Sequence, residues 1–304
     1  MALDWPRDIP SSGERGDRVK AERQEAHTGL GCDAGRDKAI EVLREVHEVL
    51  NHYGVVYWLD QGTLLGAARD GDLIPWDSDI DLGMWADDEV HSSPVWKTFE
   101  QRGYYVSFNR RVDLVKLVKR SWKIGSKKID ISLYRLSEGK AQRRWSAPRR
   151  NLVSGVVRSV LGPVVDVFER KAAGVQSFYE VFEGKKTNAR DEGSPLWRLA
   201  RKRLEPLREV LSSLEMSILD LLPGCVLKVL AKACLPVLLA LGYKPIEAEV
   251  CAKYYQELSD IELYGMIFSA PRQLVEYLEL KFGEDWRVPK REWTFYREDG
   301  AVQL

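Results

Sequence analysis

The chain is short of the residues from which many metal and redox sites are built. It has four cysteines and four histidines in 304 residues, and the cysteines lie at positions 32, 225, 234 and 251. None of them forms the closely spaced pair that zinc sites and small disulfide frameworks show. We therefore expect reduced structural thiols and no zinc site.

The chain also lacks an excess of charge of either sign. Its 46 lysines and arginines equal its 46 aspartates and glutamates in number. Proteins that bind nucleic acid in general usually carry a basic excess, because the phosphate backbone must be neutralised. The balance therefore predicts no nucleic-acid partner.

Long apolar runs are scarce as well. Residues 1–35 are rich in charged and small polar residues, which predicts a disordered arm without a signal peptide or an N-terminal anchor. The most apolar stretch, residues 225–241, contains Lys228, Lys232 and Pro236. It is too short and too charged for a transmembrane helix, and a cytoplasmic location is expected.

Amphipathic patterns dominate residues 138–250. Residues 139–150 are basic and are predicted to form a loop, whereas residues 152–165 and 196–222 repeat apolar side chains at helical spacing. With the apolar stretch, these segments predict a helical insertion. The insertion could cover one face of a sheet, or one of its helices could make a peripheral membrane contact, and the pattern allows both.

Most of the candidate functional residues lie between Tyr57 and Met84. An apolar run ending at Leu59 predicts a buried strand, and Gly62 and Thr63 then begin a short helix that reaches Arg69. The first backbone amides of a helix have no partner within the helix and favour a phosphate group. We therefore expect Gly62 and Thr63 to bind phosphate.

An aspartate-rich strand follows this helix. Because side chains alternate along a strand, Asp77, Asp79 and Asp81 would share one face, while Ile80 and Leu82 face the core. Carboxylates crowded on one face repel one another unless a cation is bound between them, and Mg²⁺ or Mn²⁺ is the expected ion. Asp-rich segments are also common as solvated turns, which is the alternative explanation.

A third carboxylate is expected on a later strand. Asp130 lies between Ile129 and Ile131 in the alternating segment 127–134, beside Lys128. We predict that Asp79, Asp81 and Asp130 are the metal-binding and catalytic residues, and that Lys128 binds a donor phosphate. A solvated strand face is the alternative for the lysine. Arg69 would neutralise charge on the leaving phosphate, unless it only forms an ion pair with a nearby aspartate.

The remaining patterns predict an α/β fold. Helices are expected at residues 36–54 and 87–102, and strands at residues 104–108, 112–119 and 127–134. Together with the aspartate strand they predict a mixed sheet with flanking helices. A further helix is expected between Pro271 and Gly283, closing over the cleft.

Residues 62–83, GTLLGAARDGDLIPWDSDIDLG, resemble the signature of the LicD and fukutin family. A second resemblance covers Tyr264 to Gly283. The resemblance implies a nucleotidyltransferase-like fold, with a catalytic core at residues 36–137 whose C-terminal part is residues 251–304, interrupted by the helical insertion at 138–250. Within this pattern, Gly62-Thr63, the pair Asp79 and Asp81, and Asp130 take the positions of the family's glycine turn, aspartate pair and third acidic residue.

The resemblance also implies a function. Members of the family transfer a phosphorylated alcohol, such as ribitol 5-phosphate or phosphocholine, from a CDP-activated donor to a glycan or glycolipid acceptor and release CMP. Eukaryotic members lie in the Golgi, which is the expected location if the chain is a eukaryotic form without its anchor. Two alternatives stay open: a nucleotidyltransferase that moves NMP from an NTP, and a binding protein that keeps the fold without turnover.

Overall fold

The computed structural model describes residues 30–303 except for residues 78, 88–89, 110–111, 121–127, 150, 152, 159–160, 162–164 and 166–222. Most of the predicted arm at residues 1–35 and the helix predicted at residues 196–222 therefore lie outside the described residues. The first described helix begins at Leu30, six residues before the predicted start at Arg36.

Helices and strands alternate over residues 30–109, and three more strands follow in succession before residue 149. The helices are α1 Leu30–His52, α2 Gln61–Asp70, α3 Pro94–Gln101, α4 Gly224–Gly242, α5 Lys253–Gln256, α6 Leu274–Phe282 and α7 Phe295–Glu298. The strands are β1 Tyr57–Leu59, β2 Asp79–Trp85, β3 Tyr104–Asn109, β4 Leu114–Lys119, β5 Lys128–Ser137, β6 Lys140–Pro148, β7 Tyr243–Cys251, β8 Leu258–Leu263, β9 Met266–Pro271 and β10 Val302–Gln303.

Eight of the strands form one mixed sheet, which confirms the predicted α/β fold class. The order β1-β2-β5-β6-β7-β10 forms its path, and β4 pairs with both β3 and β5. β2 and β5 run parallel, and the other pairs are antiparallel. β8 and β9 form a separate antiparallel pair. The parallel pair is central to the site, because it places the two acidic strands side by side.

The core forms where α1 packs on the sheet. Val42, Leu43, Val46 and Leu50 recur at helical spacing and are all buried, so the amphipathic helix predicted here is confirmed. His47 on the same helix packs on the ring of Phe268, with 4.6 Å between the ring centroids.

Two of the predicted elements were wrong. α3 begins at Pro94 rather than near Asp87, because proline is favoured at the first position of a helix. The basic segment predicted as a loop is the strand β6, in which Ala141, Arg143 and Ala147 are buried on one face. The charged residues of β6 concealed its two-residue period. Most of strand β7 also lies within residues 138–250, which were predicted to be a helical insertion. The described ends of that segment therefore belong to the sheet.

Asp113 directly precedes β4 and binds arginines of β5 and β6. Its side chain is buried, with the residue 1% exposed. Arg135 donates two hydrogen bonds to its carboxylate at 2.7 and 2.8 Å, and Arg144 donates from its backbone amide and its guanidinium. Burial raises the pKa of Asp113, but these donors lower it more, so the net pKa lies below the ordinary value. The ion pairs therefore favour the charged carboxylate.

Asp113→Asn is expected to lower the free energy of unfolding at neutral pH by about 1 to 2 kcal/mol, because charge-assisted hydrogen bonds are lost. The guanidiniums of Arg135 and Arg144 are half-exposed and can bind water instead, which offsets part of the loss. Asparagine tolerates the positive φ of 44° found here. A group whose folded pKa is lowered stabilises above its ordinary pKa and loses that contribution as pH falls. Urea titration from pH 7 to 3 should therefore show the difference shrinking, and a pH-independent difference would contradict this account.

Helix α4 is the described counterpart of the most apolar stretch. Within the described residues no helix has the length and apolar character needed to cross a bilayer. Val229 and Leu241 of α4 are exposed, whereas Leu238 is buried. Residues 166–222 precede α4 and lie outside the described part of the chain, so this exposure does not identify a membrane-contacting surface.

Candidate metal and phosphate site

The turn between β1 and α2 is built around the buried carboxylate of Asp60. Asp60 is the N-cap of α2 and accepts a hydrogen bond from the backbone amide of Gln61 at 2.9 Å. Tyr134 donates to its second oxygen at 2.7 Å, and Tyr277 of α6 donates at 3.0 Å. The start of α2 is therefore held by a fully buried aspartate that neutral donors satisfy.

Aromatic side chains surround this carboxylate. Trp58 stacks on Tyr255 with 4.4 Å between ring centroids, and the hydroxyls of Tyr255 and Tyr277 lie 2.6 Å apart. Burial, followed by the charge of Asp60, raises the pKa of Tyr134, Tyr255 and Tyr277 well above the ordinary value. These hydroxyls stay protonated, and the aromatic side chains exclude water from the base of the site.

Thr63 fixes α2 to the aspartate strand. Its hydroxyl accepts a hydrogen bond from the backbone amide of Asp81 at 2.8 Å, and the amide of Asp60 donates to the carbonyl of Asp81 at 3.1 Å. The N-terminus of α2 therefore lies directly beside Asp81. The hydroxyl of Thr63 therefore links α2 to β2. Phosphate binding by the backbone amide of Thr63 stays a prediction.

Three carboxylates meet at the start of β2. Asp77, Asp79 and Asp81 each offer an oxygen, and the three oxygens lie within 4.8 Å of one another. The alternation of β2 places Asp79 and Asp81 on one face, and Asp77, two residues before the strand, lies beside them. Oxygen-only ligand sets of this kind suit a hard divalent cation.

Lys128 bridges the two acidic strands. Its Nζ donates to Asp79 Oδ2 and to Asp130 Oδ2, both at 2.6 Å, and all three side chains are buried. The parallel register pairs Asp79 with Lys128 and Asp81 with Asp130. Burial lowers the pKa of Lys128, but Asp130 and Asp79 raise it more, above its ordinary value. Lys128 thus offsets the charge of the carboxylates, a different arrangement from the expected phosphate contact.

The residues present fit a divalent cation. Asp130 keeps one buried oxygen, Oδ1, without a hydrogen-bond partner in the described structure. A buried carboxylate oxygen without a donor is costly, and the positive charge of a nearby cation would stabilise it. Asp77, Asp79 and Asp81 would then hold the ion, with Asp130 beside them.

Gly62 is required by the close approach of Asp77. A Cβ atom on Gly62 would lie 2.2 Å from Asp77 Oδ2 and 3.5 Å from its Cγ. Because the colliding atom is the end of a flexible side chain, Asp77 can move aside without a large change in the backbone. Gly62 therefore leaves space for the carboxylate cluster.

Gly62→Ala is expected to weaken Mn²⁺ binding about 10- to 100-fold, the range found when a residue that supports a metal ligand is changed. The metal-free free energy of unfolding should fall by less than about 1 kcal/mol. Gly66→Ala is the matched control, because its Cβ would lie 2.5 Å from the backbone carbonyl of Asp72. That variant should lose stability and keep Mn²⁺ affinity. Calorimetry and urea titration measure both, and wild-type Mn²⁺ affinity in Gly62→Ala would remove Asp77 from the site.

Arg69 is placed differently from the sequence expectation. It lies in the last turn of α2, and its guanidinium binds the carboxylate of Asp70 at 2.8 and 3.0 Å. Gly62 precedes it by seven residues, which is about 10 Å along a helix axis. The structure brings Gly62, Asp79, Asp81 and Asp130 together and pairs Arg69 with its neighbour.

Sequence reasoning missed three polar residues near the turn. Asp60 follows a buried strand directly, a position that could have marked it as an N-cap. Gln61 is 7% exposed, has a φ of 45°, and neither polar atom of its amide has a partner in the described structure. Arg143 reaches the site from β6, which no local pattern predicted.

Comparison with known proteins gives matches centred on this site. A sequence model of the family described as "LicD/FKTN/FKRP, nucleotidyltransferase domain" matches residues 54–151. An uncharacterised protein of Rickettsia prowazekii is 40% identical over 76 residues, which cover 25% of this chain and 29% of that protein. The span matched by the family model includes the carboxylates, β5 and β6.

Two relatives with named activities are also similar to part of the chain. The human ribitol 5-phosphate transferase FKRP is 44% identical over 69 residues, covering 21% of this chain and 14% of that protein. The lipopolysaccharide cholinephosphotransferase LicD of Haemophilus influenzae is 39% identical over 57 residues, covering 19% of this chain and 22% of that protein. The chain therefore spans less than a third of each of these relatives. Residues 54–151 of the chain are therefore similar to the nucleotidyltransferase domain of the LicD/fukutin family.

Proposed function

We propose that the protein is a metal-dependent transferase that moves a phosphorylated alcohol from a CDP-activated donor to a glycan or glycolipid acceptor and releases CMP. The observation that carries the proposal is the convergence of Asp77, Asp79 and Asp81 within 4.8 Å. The relatives' names, ribitol 5-phosphate transferase and cholinephosphotransferase, support the class of cargo.

A Mg²⁺ or Mn²⁺ ion held by these carboxylates would supply charge neutralisation on the donor diphosphate. The first amides of α2, at Gly62 and Thr63, would donate to its oxygens. The acceptor hydroxyl oxygen would form a bond to the phosphorus of the alcohol phosphate, and the bond from that phosphorus to CMP would break. Oδ1 of Asp130, buried and without a partner in the described structure, is the atom that would take the hydroxyl proton.

The domain organisation is also a proposal. Tyr277 and Tyr264 tie the C-terminal segment to the site, through Asp60 and through the backbone amide of Leu73. We infer that residues 251–304 complete the catalytic domain. Because β6 and β7 pair along their full lengths, the insertion is restricted to the segment between them, residues 149–242.

Thermal unfolding in the presence of Mg²⁺ tests the donor class. CDP-ribitol and CDP-choline are expected to raise the melting temperature, since a ligand that binds only the folded state stabilises it, whereas CTP and ATP should raise it less. Release of CMP on adding an acceptor glycan then tests transfer. Stabilisation by CTP or ATP alone, with release of pyrophosphate, would instead support the nucleotidyltransferase alternative.

A further inference from the structure

Arg143 on β6 is a buried cation that the mechanism above does not use. It is 4% exposed and lies over the rings of Trp145 at 4.4 Å, Phe295 at 5.2 Å and Tyr134 at 5.7 Å from their centroids. One terminal nitrogen donates to the hydroxyl of Ser132. The aromatic rings fix the plane of the guanidinium but accept none of its in-plane hydrogen bonds.

The guanidinium is left with unused donors. Its Nε is buried and has no hydrogen-bond partner in the described part of the chain. Arginine carries five N–H donors in a planar fork, and a buried donor without an acceptor is costly unless something else supplies one. The fork therefore has capacity for an anion with two acceptor oxygens.

The strand register places this cation at the carboxylate site. Ser132, its hydrogen-bond partner, lies two residues after Asp130 on β5 and therefore on the same face of the sheet. The register partner of Ser132 is Gly83, two residues after Asp81 on β2. The guanidinium thus lies on the face that carries Asp81 and Asp130.

Pairing with Asp60 alone does not explain why the buried guanidinium of Arg143 keeps unused donors. Asp60, the buried carboxylate at the base of the site, is already bound by Tyr134, Tyr277 and the amide of Gln61. Burial lowers the pKa of Arg143, but Tyr134, Asp60 and Asp81 raise it more, so the guanidinium remains charged. Asp60 already accepts three hydrogen bonds, so the charged guanidinium of Arg143 is available to bind an oxyanion beside the cation site.

We propose that Arg143 is a positioning residue that binds phosphate oxygens of the donor diphosphate. The role rests on the proposed function, because it assigns this oxyanion to the donor. Arg143 thereby takes the part that the sequence had suggested for Arg69.

Calorimetric titration of the full chain with inorganic pyrophosphate at saturating Mg²⁺ tests the contact without requiring turnover. Arg143→Gln is expected to weaken pyrophosphate binding about 10- to 100-fold, equivalent to about 1.4 to 2.8 kcal/mol. Arg143→Lys keeps the charge without the planar fork, and we expect it to weaken binding at least about fivefold. Arg287→Gln is the matched control, an exposed arginine stacked on Trp286 at 4.1 Å, and should bind as the wild type.

Mn²⁺ affinity separates this role from a structural one. Removing a positive charge near the carboxylates should leave Mn²⁺ binding unchanged or tighter in Arg143→Gln, whereas a collapsed site would lose it. If Arg143→Gln does not fold, the loss of pyrophosphate affinity in Arg143→Lys tests the proposal instead. Wild-type pyrophosphate affinity in Arg143→Lys, or no pyrophosphate binding by the wild type, would overturn the proposal. Pyrophosphate binding without transfer from any CDP-alcohol would contradict the proposed function and leave the anion contact standing.

Discussion

Asp81→Asn is expected to lower turnover about a thousandfold, because a metal ligand contributes several kcal/mol of transition-state stabilisation and about 4 kcal/mol corresponds to that factor. The backbone of Asp81, through which Thr63 and Asp60 hold the strand, is unchanged by the substitution. Asparagine also removes one negative charge from a crowded acidic face. The melting temperature without metal should therefore stay the same or rise.

Steady-state kinetics with the active CDP-alcohol and thermal unfolding are the two measurements for Asp81→Asn. Asp87→Asn is the matched control, since Asp87 is an exposed aspartate two residues after β2, and it should keep wild-type turnover. Asp79→Asn should lose turnover as well, but it also removes one partner of Lys128 and is expected to cost stability. Turnover of Asp81→Asn within about tenfold of wild type, about 1.4 kcal/mol of barrier, would show that Asp81 is not a metal ligand.

Lys128→Met is expected to lower the metal-free free energy of unfolding by about 3 to 5 kcal/mol, the usual cost of leaving buried charges without their partner. Asp79 and Asp130 would then face each other without the ammonium that lies 2.6 Å from each. The same loss of positive charge should tighten Mn²⁺ binding. Added Mn²⁺ should therefore raise the melting temperature more in the variant than in the wild type.

Urea titration with and without Mn²⁺ measures both effects. Lys290→Met is the control, because its ion pair with Asp285 is at the surface, and it should change stability by less than about 0.5 kcal/mol. A loss of less than about 0.5 kcal/mol, or Mn²⁺ binding no tighter than in the wild type, would contradict the charge-bridging role.

The same lysine shows how far local patterns reach. From the sequence, Lys128 was predicted to contact a donor phosphate, because a cation beside an acidic strand commonly does so. Its actual partners, Asp79 and Asp130, depend on the register of β2 against β5. That register is a property of the assembled sheet, and a shift of one residue would turn Lys128 to the opposite face.

The sequence by itself determined the features that repeat with a short period. The spacing of Ile40, Leu43, Val46 and Leu50 predicted a helix within α1. A two-residue period predicted Asp77, Asp79 and Asp81 on one face before any partner strand was known. Side chains a few residues apart are positioned by helix and strand geometry alone. The LicD-like motif lies within such a local segment, so it was readable without the fold.

Only the tertiary structure decided how that motif is completed. Tyr277 donates to Asp60 across 217 positions of sequence, and Arg143 reaches the site from a strand whose charged residues predicted a loop. Lys128 became a bridge between carboxylates because two distant strands pair in parallel. Such contacts arise from how the elements pack on one another, and no spacing within a single segment encodes which side chains will meet across the sheet.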